Sequence, residues 1–217
     1  MMDLGLNDTR TSRSNDLAAV LNTIFARPDF VVTGIGSRET PDDVLALMTR
    51  IGTACEARGG KLRSGGAGGA DLAFEAGWRD AANCEIFHPW RGFKPKIGGL
   101  SLDLDRILGR KRPTSGPGAP IILSGPLFET AKEMASHYHP AWHRCSDGAK
   151  ALHSRNMPQV LGPQLDRPTD VVICWTVDGG PTGGTGQALR VAMDRGITIV
   201  NLQRPDHRAA LIAALGL

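Results

Sequence analysis

The chain has 217 residues, 41% of them hydrophobic and 22% charged, which suits one buried core and excludes a globally disordered polymer. Its 25 Lys and Arg stand against 22 Asp and Glu, a formal net charge of +3, so no dense basic stripe marks it as a dedicated duplex-DNA binder. No stretch approaches the roughly 18 apolar residues of a membrane span, and no membrane partner is expected.

The opening residues 1–15 read as a flexible polar arm without the apolar core of an export signal. The four cysteines, Cys55, Cys84, Cys145 and Cys174, form no Cys-x-x-Cys, and the expected compartment is the reducing cytoplasm. From Asp16 to Ala26, Leu17, Val20, Leu21 and Ile24 recur at helical spacing before Pro28. Phe30 to Gly34 is a β-branched run stopped by glycine, the first buried strand. Asp42 to Arg58 is a helix with Pro41 at its start and Gly59-Gly60 beyond its end. Lys61 to Ser64 is a short strand, Asp71 to Ala82 a helix, and Cys84 to Phe87 a third strand.

From Trp90 to about Pro126 the periodicity fails, and Pro, Gly, Lys and Arg predominate. Such a segment inside a domain is a functional loop or an insertion. Phe128 to Leu161 is helical in composition, with breaks expected at Pro140 and Pro158. Val171 to Trp175 is the clearest strand; Thr185 to Asp194 is a helix, Ile197 to Val200 a strand, and His207 to Leu215 a closing helix.

Strands alternate with helices, and no two-residue hairpin turn is expected between them. The pattern predicts an α/β fold: a Rossmann-like, mostly parallel sheet of about five or more strands with helices on both faces. One domain over 16–217 is expected, with a loop and helical insertion at about 90–165. In such sheets ligands sit outside the carboxyl ends of the strands, and three glycine-rich turns occupy that position. Gly34-Ile35-Gly36-Ser37-Arg38-Glu39 offers backbone N–H groups, a hydroxyl and a guanidinium fork; alternatively it is a tight turn with a solvated Arg38. Ser64-Gly65-Gly66-Ala67-Gly68-Gly69-Ala70-Asp71 permits close backbone approach and an anion-binding nest, a phosphate-binding loop. It carries neither Gly-Lys-Ser/Thr nor a strict Gly-x-Gly-x-x-Gly. Its Asp71 either caps the following helix or binds a sugar hydroxyl, with Glu75 on the same helical face. The third turn, Asp178 to Gln187, has glycines Gly183 and Gly184, with Thr182, Thr185 and Gln187 as neutral hydrogen-bonding groups for sugar or base.

Taken in order, Gly36-Ser37-Arg38, then Ser64 to Asp71, then an apolar strand followed by Gly183-Gly184-Thr185-Gly186-Gln187-Ala188, resemble the SLOG superfamily. That group includes the DNA-processing protein A (DprA) family and the LOG-type phosphoribohydrolases; the small DprA-like proteins of phage and prophage genomes are the nearest likeness. The resemblance covers residues 29–88 and 169–203. It implies a nucleotide, a nucleotide-derived small molecule or single-stranded DNA as ligand, in DNA processing or nucleotide sensing, and self-association into a homo-oligomer. The ligand contacts it implies are Gly36, Ser37, Arg38, Ser64, Gly65, Gly66, Ala67, Gly69, Asp71, Gly183, Gly184 and Thr185. The LOG enzymes carry a glutamate where this chain has Ala188, beside Gln187. Hydrolysis of a nucleotide N-glycosidic bond, the alternative function, would need Glu39, Asp71 or Glu75 in its place. A nicotinamide oxidoreductase is disfavoured by the missing fingerprint, and no cofactor beyond a nucleotide-like ligand is implied.

Other features carry less. His137, His139 and His143 are read as a surface or core cluster, with no metal assigned, because Pro140 interrupts the helix that would align them. Trp90 and Trp175 lie near strand ends, where an indole either stacks on a base or fills the core. Arg91, Lys94, Lys96, Arg106, Arg110, Lys111 and Arg112 make the 91–120 loop the most basic segment, one that closes over phosphates or is solvated. Arg155-Asn156 has no spacing argument for a role.

Overall fold

The computed structural model describes residues 9–97, 100–101, 103–107, 109 and 111–217, the side chains of 9–15, 96–97, 100–101 and 104 aside. Five strands form an all-parallel sheet: β1 (Val31–Gly34), β2 (Lys61–Ser64), β3 (Cys84–Ile86), β6 (Val171–Cys174) and β7 (Thr198–Asn201). Their spatial order is β3-β2-β1-β6-β7, so the chain winds outward from β1 in one direction and later returns to its other side. Val32 pairs with both Leu62 and Val171, which puts the order reversal between β1 and β6. This is the predicted α/β, Rossmann-like architecture, and the reversal opens a crevice at the carboxyl ends of β1 and β6.

The strand side chains alternate between two cores. Val171, Ile173 and Trp175 join Val32 and Leu62 against α1 (Thr9–Phe25), α2 (Asp42–Glu56), α3 (Ala70–Gly77) and α8 (Pro205–Leu215). Val172 and Cys174 face α5 (Gly125–Tyr138), α6 (Asp147–Leu161) and α7 (Gly183–Asp194). All four residues of β6 are buried, as expected for a strand covered on both sides. Among the described residues no helix is long and apolar enough to cross a membrane.

Three expectations need correction. The first helix begins at Thr9 rather than Asp16. Thr9 to Asn15 contains no Gly or Pro, so a helix nucleated by the packed Leu21, Ile24 and Phe25 propagates backward at one hydrogen bond per residue. The rest of the predicted arm, residues 1–8, lies outside the described residues. Pro158 does not break α6, which runs on to Leu161. Met157, Val160 and Leu161 are buried around it, and the Gly162 N–H closes the last turn on the Pro158 carbonyl at 2.8 Å. The basic loop does contain a hairpin, β4 (Lys96–Ile97) antiparallel to β5 (Leu100–Ser101), followed by the one-turn α4 (Leu104–Ile107). Its sequence signal, Gly98-Gly99 between two-residue strands, is too short for periodicity to mark. The loop leaves and rejoins the sheet at one edge, where His88 N–H donates to the Ile121 carbonyl at 2.8 Å and Ile121 N–H to that of Ile86 at 2.8 Å.

Candidate functional site

A cleft of about 1040 Å³ lies over the carboxyl ends of β1 and β6, the crevice that the topology predicts. Gly36, Ser37, Arg38 and Glu39 form one side, and Thr182 to Thr185 at the start of α7 form another. Ala67, Gly68 and Asp71 come from the turn after β2, and Trp90, Phe93 and Lys94 from the basic loop. The remaining wall is a stripe of α6: Leu152, His153, Arg155, Asn156 and Gln159. The three turns singled out in the sequence do meet, though each contributes differently.

In the first turn, Ser37 N–H donates to the Trp175 carbonyl at 3.1 Å, tying the ends of β1 and β6 together. Ser37 Oγ accepts from the Glu39 N–H at 3.1 Å, so its own O–H remains to be given. Arg38 and Glu39 are exposed. Gly36 is a packing requirement: a Cβ there would lie 2.6 Å from that of Ala70. This glycine lets α3 approach the turn closely.

The second turn is largely occupied by the protein itself. A Cβ on Gly65 would fall 1.5 Å from Arg155 Nη1 and 2.8 Å from Gln159 Nε2. Gly66, at φ +62°, faces His88, whose Nε2 would be 2.8 Å from a Cβ. Ser64 and Gly69 likewise do not line the cleft; Ser64 is fully buried, and Gly69 at φ +86° precedes α3. Of the predicted cradle only Ala67, Gly68 and Asp71 line the cleft.

Asp71 holds this turn in shape. Its Oδ2 accepts from the Ala67 N–H at 3.2 Å and lies 3.5 Å from Arg155 Nη1. Both side chains are almost fully buried. Burial pushes the Asp71 carboxyl above its usual range despite the opposing Arg155 charge, and burial lowers Arg155 likewise. Deeper in, Glu75 pairs with Arg112 Nη2 at 3.3 Å, and Arg112 Nε reaches Asp105 at 2.9 Å. Glu75 therefore sits beneath the cleft and does not line it. Arg112 is a buried ion-pair partner, which corrects its reading as a free cation of the loop. Lys94 lines the cleft, Arg91, Arg106 and Lys111 are exposed, and Arg110 and the Lys96 side chain lie outside the described residues. Beside these guanidinium groups, burial together with the charges of Arg112 and Arg155 brings His88 down to about 4.

The third turn is open. Thr182, Gly183 and Gly184 are exposed, and nothing lies within 4 Å of a Cβ built on either glycine. Thr182 precedes α7 without a side-chain cap, because its hydroxyl donates to Asp178 Oδ1 at 2.7 Å. The first N–H groups of a helix have no partner within the helix, and here they meet the cleft with positive dipole. A helix start of this kind favours an anion.

Gln187 and Trp175 are not ligand groups in this arrangement. Gln187 is fully buried; its Nε2 donates to the Ala135 carbonyl at 2.9 Å and its Oε1 accepts from Asn156 Nδ2 at 3.1 Å. It positions Asn156 and, through a 3.0 Å contact, His153 Nδ1. Trp175 is 4% exposed, joins the core and donates from Nε1 to Gln203 Oε1 at 2.9 Å, leaving no face for a base. Trp90 is 44% exposed, with Phe93 edge-on to it at 5.4 Å, and both line the cleft.

The residues that sequence reasoning missed are those of α6. Positions 152, 153, 155, 156 and 159 share one helical face, and polar groups on an inward face mark a site. Arg155-Asn156 thus had a signal in the pattern of its neighbours. His137 and His143 are exposed and lie apart from the cleft. His139 meets His153 instead, ring centroids 4.2 Å apart. Burial holds both rings below the usual histidine value, helped by Arg190 at His139 and by His139 at His153. Neither a protein-family model, nor a curated protein, nor a solved structure matches this chain.

Proposed function

We propose that the cleft binds a nucleotide-type ligand, phosphate against the start of α7 and Arg38, base toward Trp90 and Phe93. The observation that carries this reading is the uncapped start of α7, whose two glycines leave open space in a cleft that Arg38 also lines. A phosphate there gains helix N–H donors, the helix dipole and a planar fork. The exposed indole of Trp90 supplies the stacking surface, a contact of about 1–3 kcal/mol per base. The reading agrees with the SLOG resemblance, in which a free nucleotide and the end of a DNA single strand present the same chemistry.

Calorimetric titration with AMP, and with a short single-stranded oligonucleotide at two salt concentrations, tests it. Binding is expected to weaken by about 1.5–3 kcal/mol in Arg38→Ala, the loss of a charged hydrogen bond. An oligonucleotide ligand shows a steep salt dependence, and a mononucleotide a shallow one. The proposal fails if neither ligand binds, or if Arg38→Ala binds as the wild type does.

A second reading rests on Asp71, a buried carboxyl on the cleft wall that is shifted toward the protonated form. A shifted acid in a cleft suits general acid–base work, and hydrolysis of a nucleotide N-glycosidic bond is the reaction for which it stands in place of the missing LOG glutamate. Free base would then accumulate from a nucleotide with the wild type and not with Asp71→Asn. A panel of nucleotides from which no base is released removes this reading and leaves the binding proposal intact.

A further inference from the structure

The connection between α5 and α6 brings together three side chains that are separate in the sequence. Tyr138 ends α5, Pro140 turns the chain, and a 3₁₀ turn at Trp142–Arg144 delivers Cys145 back beside His139. Cys145 Sγ lies 3.7 Å from His139 Nδ1 and 3.9 Å from its Nε2. His153, on the second turn of α6, completes the group; one ligand atom from each of the three lies within 4.8 Å of the others. Trp142 closes one side, 6.2 Å from the His139 ring and 6.5 Å from that of His153. We propose that His139, Cys145 and His153 form a three-ligand site for a divalent transition-metal ion of the zinc class, its fourth position left to water or a ligand oxygen.

Distances and donor chemistry agree with this assignment. Zinc–sulfur and zinc–nitrogen bonds of about 2.3 and 2.0–2.1 Å at a tetrahedral angle place sulfur and nitrogen about 3.6 Å apart, against 3.7 Å here, and the nearly equal 3.9 Å to Nε2 puts Sγ off the Nδ1 lone-pair axis, so the His139 ring turns when it takes the metal. A thiolate with two imidazoles is a borderline-soft set suited to zinc or cobalt and poorly matched to magnesium or calcium. A set of three protein ligands leaves a vacancy for water or a ligand oxygen, the pattern of working rather than structural zinc sites. Of the three ligands His153 lines the cleft, which sets the site against the cleft wall.

The surroundings also select the lone pair. Gln187 Nε2 is committed to the Ala135 carbonyl, which turns Oε1 toward His153 and Asn156. His153 Nδ1, 3.0 Å from that oxygen, must therefore donate, and Nε2 carries the free lone pair. An amide or carboxylate holding the far nitrogen of a histidine is the usual support for a metal ligand. Two local contacts are exchanged on binding. The 3.2 Å bond that His139 Nδ1 accepts from Ala141 N–H gives way to the metal, and the Cys145 thiol, 3.6 Å from the Ala141 carbonyl, releases its proton to solvent. Arg190, the cation that bears on both rings, is held by the Tyr138 carbonyl at 2.7 Å and that of Pro181 at 2.8 Å.

Full-length protein stripped with a chelator and titrated with cobalt(II) tests the assignment without any nucleotide, so the result is independent of the ligand reading. The expected result is a single equivalent bound, with a near-ultraviolet thiolate-to-cobalt band and intense visible bands of tetrahedral cobalt, all displaced by zinc. Cys145→Ala removes the thiolate band, and His153→Ala weakens cobalt binding by more than about 100-fold; Gln187→Asn, acting through His153, weakens it by about 10–100-fold. His137→Ala and His143→Ala bind as the wild type does. The proposal is overturned if folded wild-type protein, verified by circular dichroism, develops no such bands, or if the thiolate band survives in Cys145→Ala.

Discussion

Gly65 and Gly184 sit in turns of similar composition at the same edge of one sheet, yet their surroundings are opposite. A side chain on Gly65 would meet Arg155 Nη1 at 1.5 Å, whereas on Gly184 it would meet nothing within 4 Å. The glycines after β2 make room for the protein's own guanidinium, amide and imidazole; those at the start of α7 leave room for something from outside. Glycine density therefore marks close approach without saying what approaches. The floor of the cleft is buried around the Asp71–Arg155 ion pair, and its rim is exposed, so substitutions should divide into those that cost stability and those that cost affinity.

The largest expected effect is at the floor. Arg155→Leu leaves Asp71 buried without its counter-ion, and breaking a buried pair in this way costs about 3–5 kcal/mol. Urea denaturation measures it, and a loss below about 1 kcal/mol would show that the floor is not held by this pair. Gly65→Ala comes next. The new methyl drives Arg155 off Asp71, and overpacking of this kind costs about 1–3 kcal/mol; an unchanged denaturation midpoint would contradict the filled-turn description.

At the rim the sign reverses. Gly184→Ala is expected to keep stability within about 0.5 kcal/mol while weakening AMP binding about tenfold, or about 1.4 kcal/mol. If it destabilised the protein as much as Gly65→Ala does, the contrast between the turns would disappear. A separate effect is a pH dependence from His88, which closes the second turn. Its folded value, about 4, lies below the ordinary 6.5, so between these values the unfolded chain binds more protons. Stability from this residue is thus present above pH 6.5 and is lost as pH falls toward 4. Between those values the two states differ by close to one bound proton, and His88→Gln should flatten the slope in midpoints measured across that window.

Much of the framework was readable beforehand. Lys61 to Ser64 is a strand as predicted, and the four residues of β6 lie within the predicted run Val171 to Trp175. Trp175 takes the second of its two readings, the core: it continues the alternation Val171, Ile173, Trp175 into one core, while Val172 and Cys174 enter the other. Its inward direction follows from strand period alone. Gln187 shows the opposite case. It lies one turn into a helix whose start faces the cleft, and only the packing of α5 and α6 against α7 turns its amide inward to Ala135, Asn156 and His153.

The sequence by itself determined the parallel α/β architecture and the three turns at the sheet's carboxyl edge, because periodicity and glycine placement act through local backbone geometry. Tertiary structure alone decided which turn is open. Whether a gap beside a glycine is filled depends on a side chain far along the chain, here Arg155 against Gly65, and no local pattern carries that distance. The same holds for His139, Cys145 and His153, which Pro140 separates in helical phase and the fold of the connection reunites.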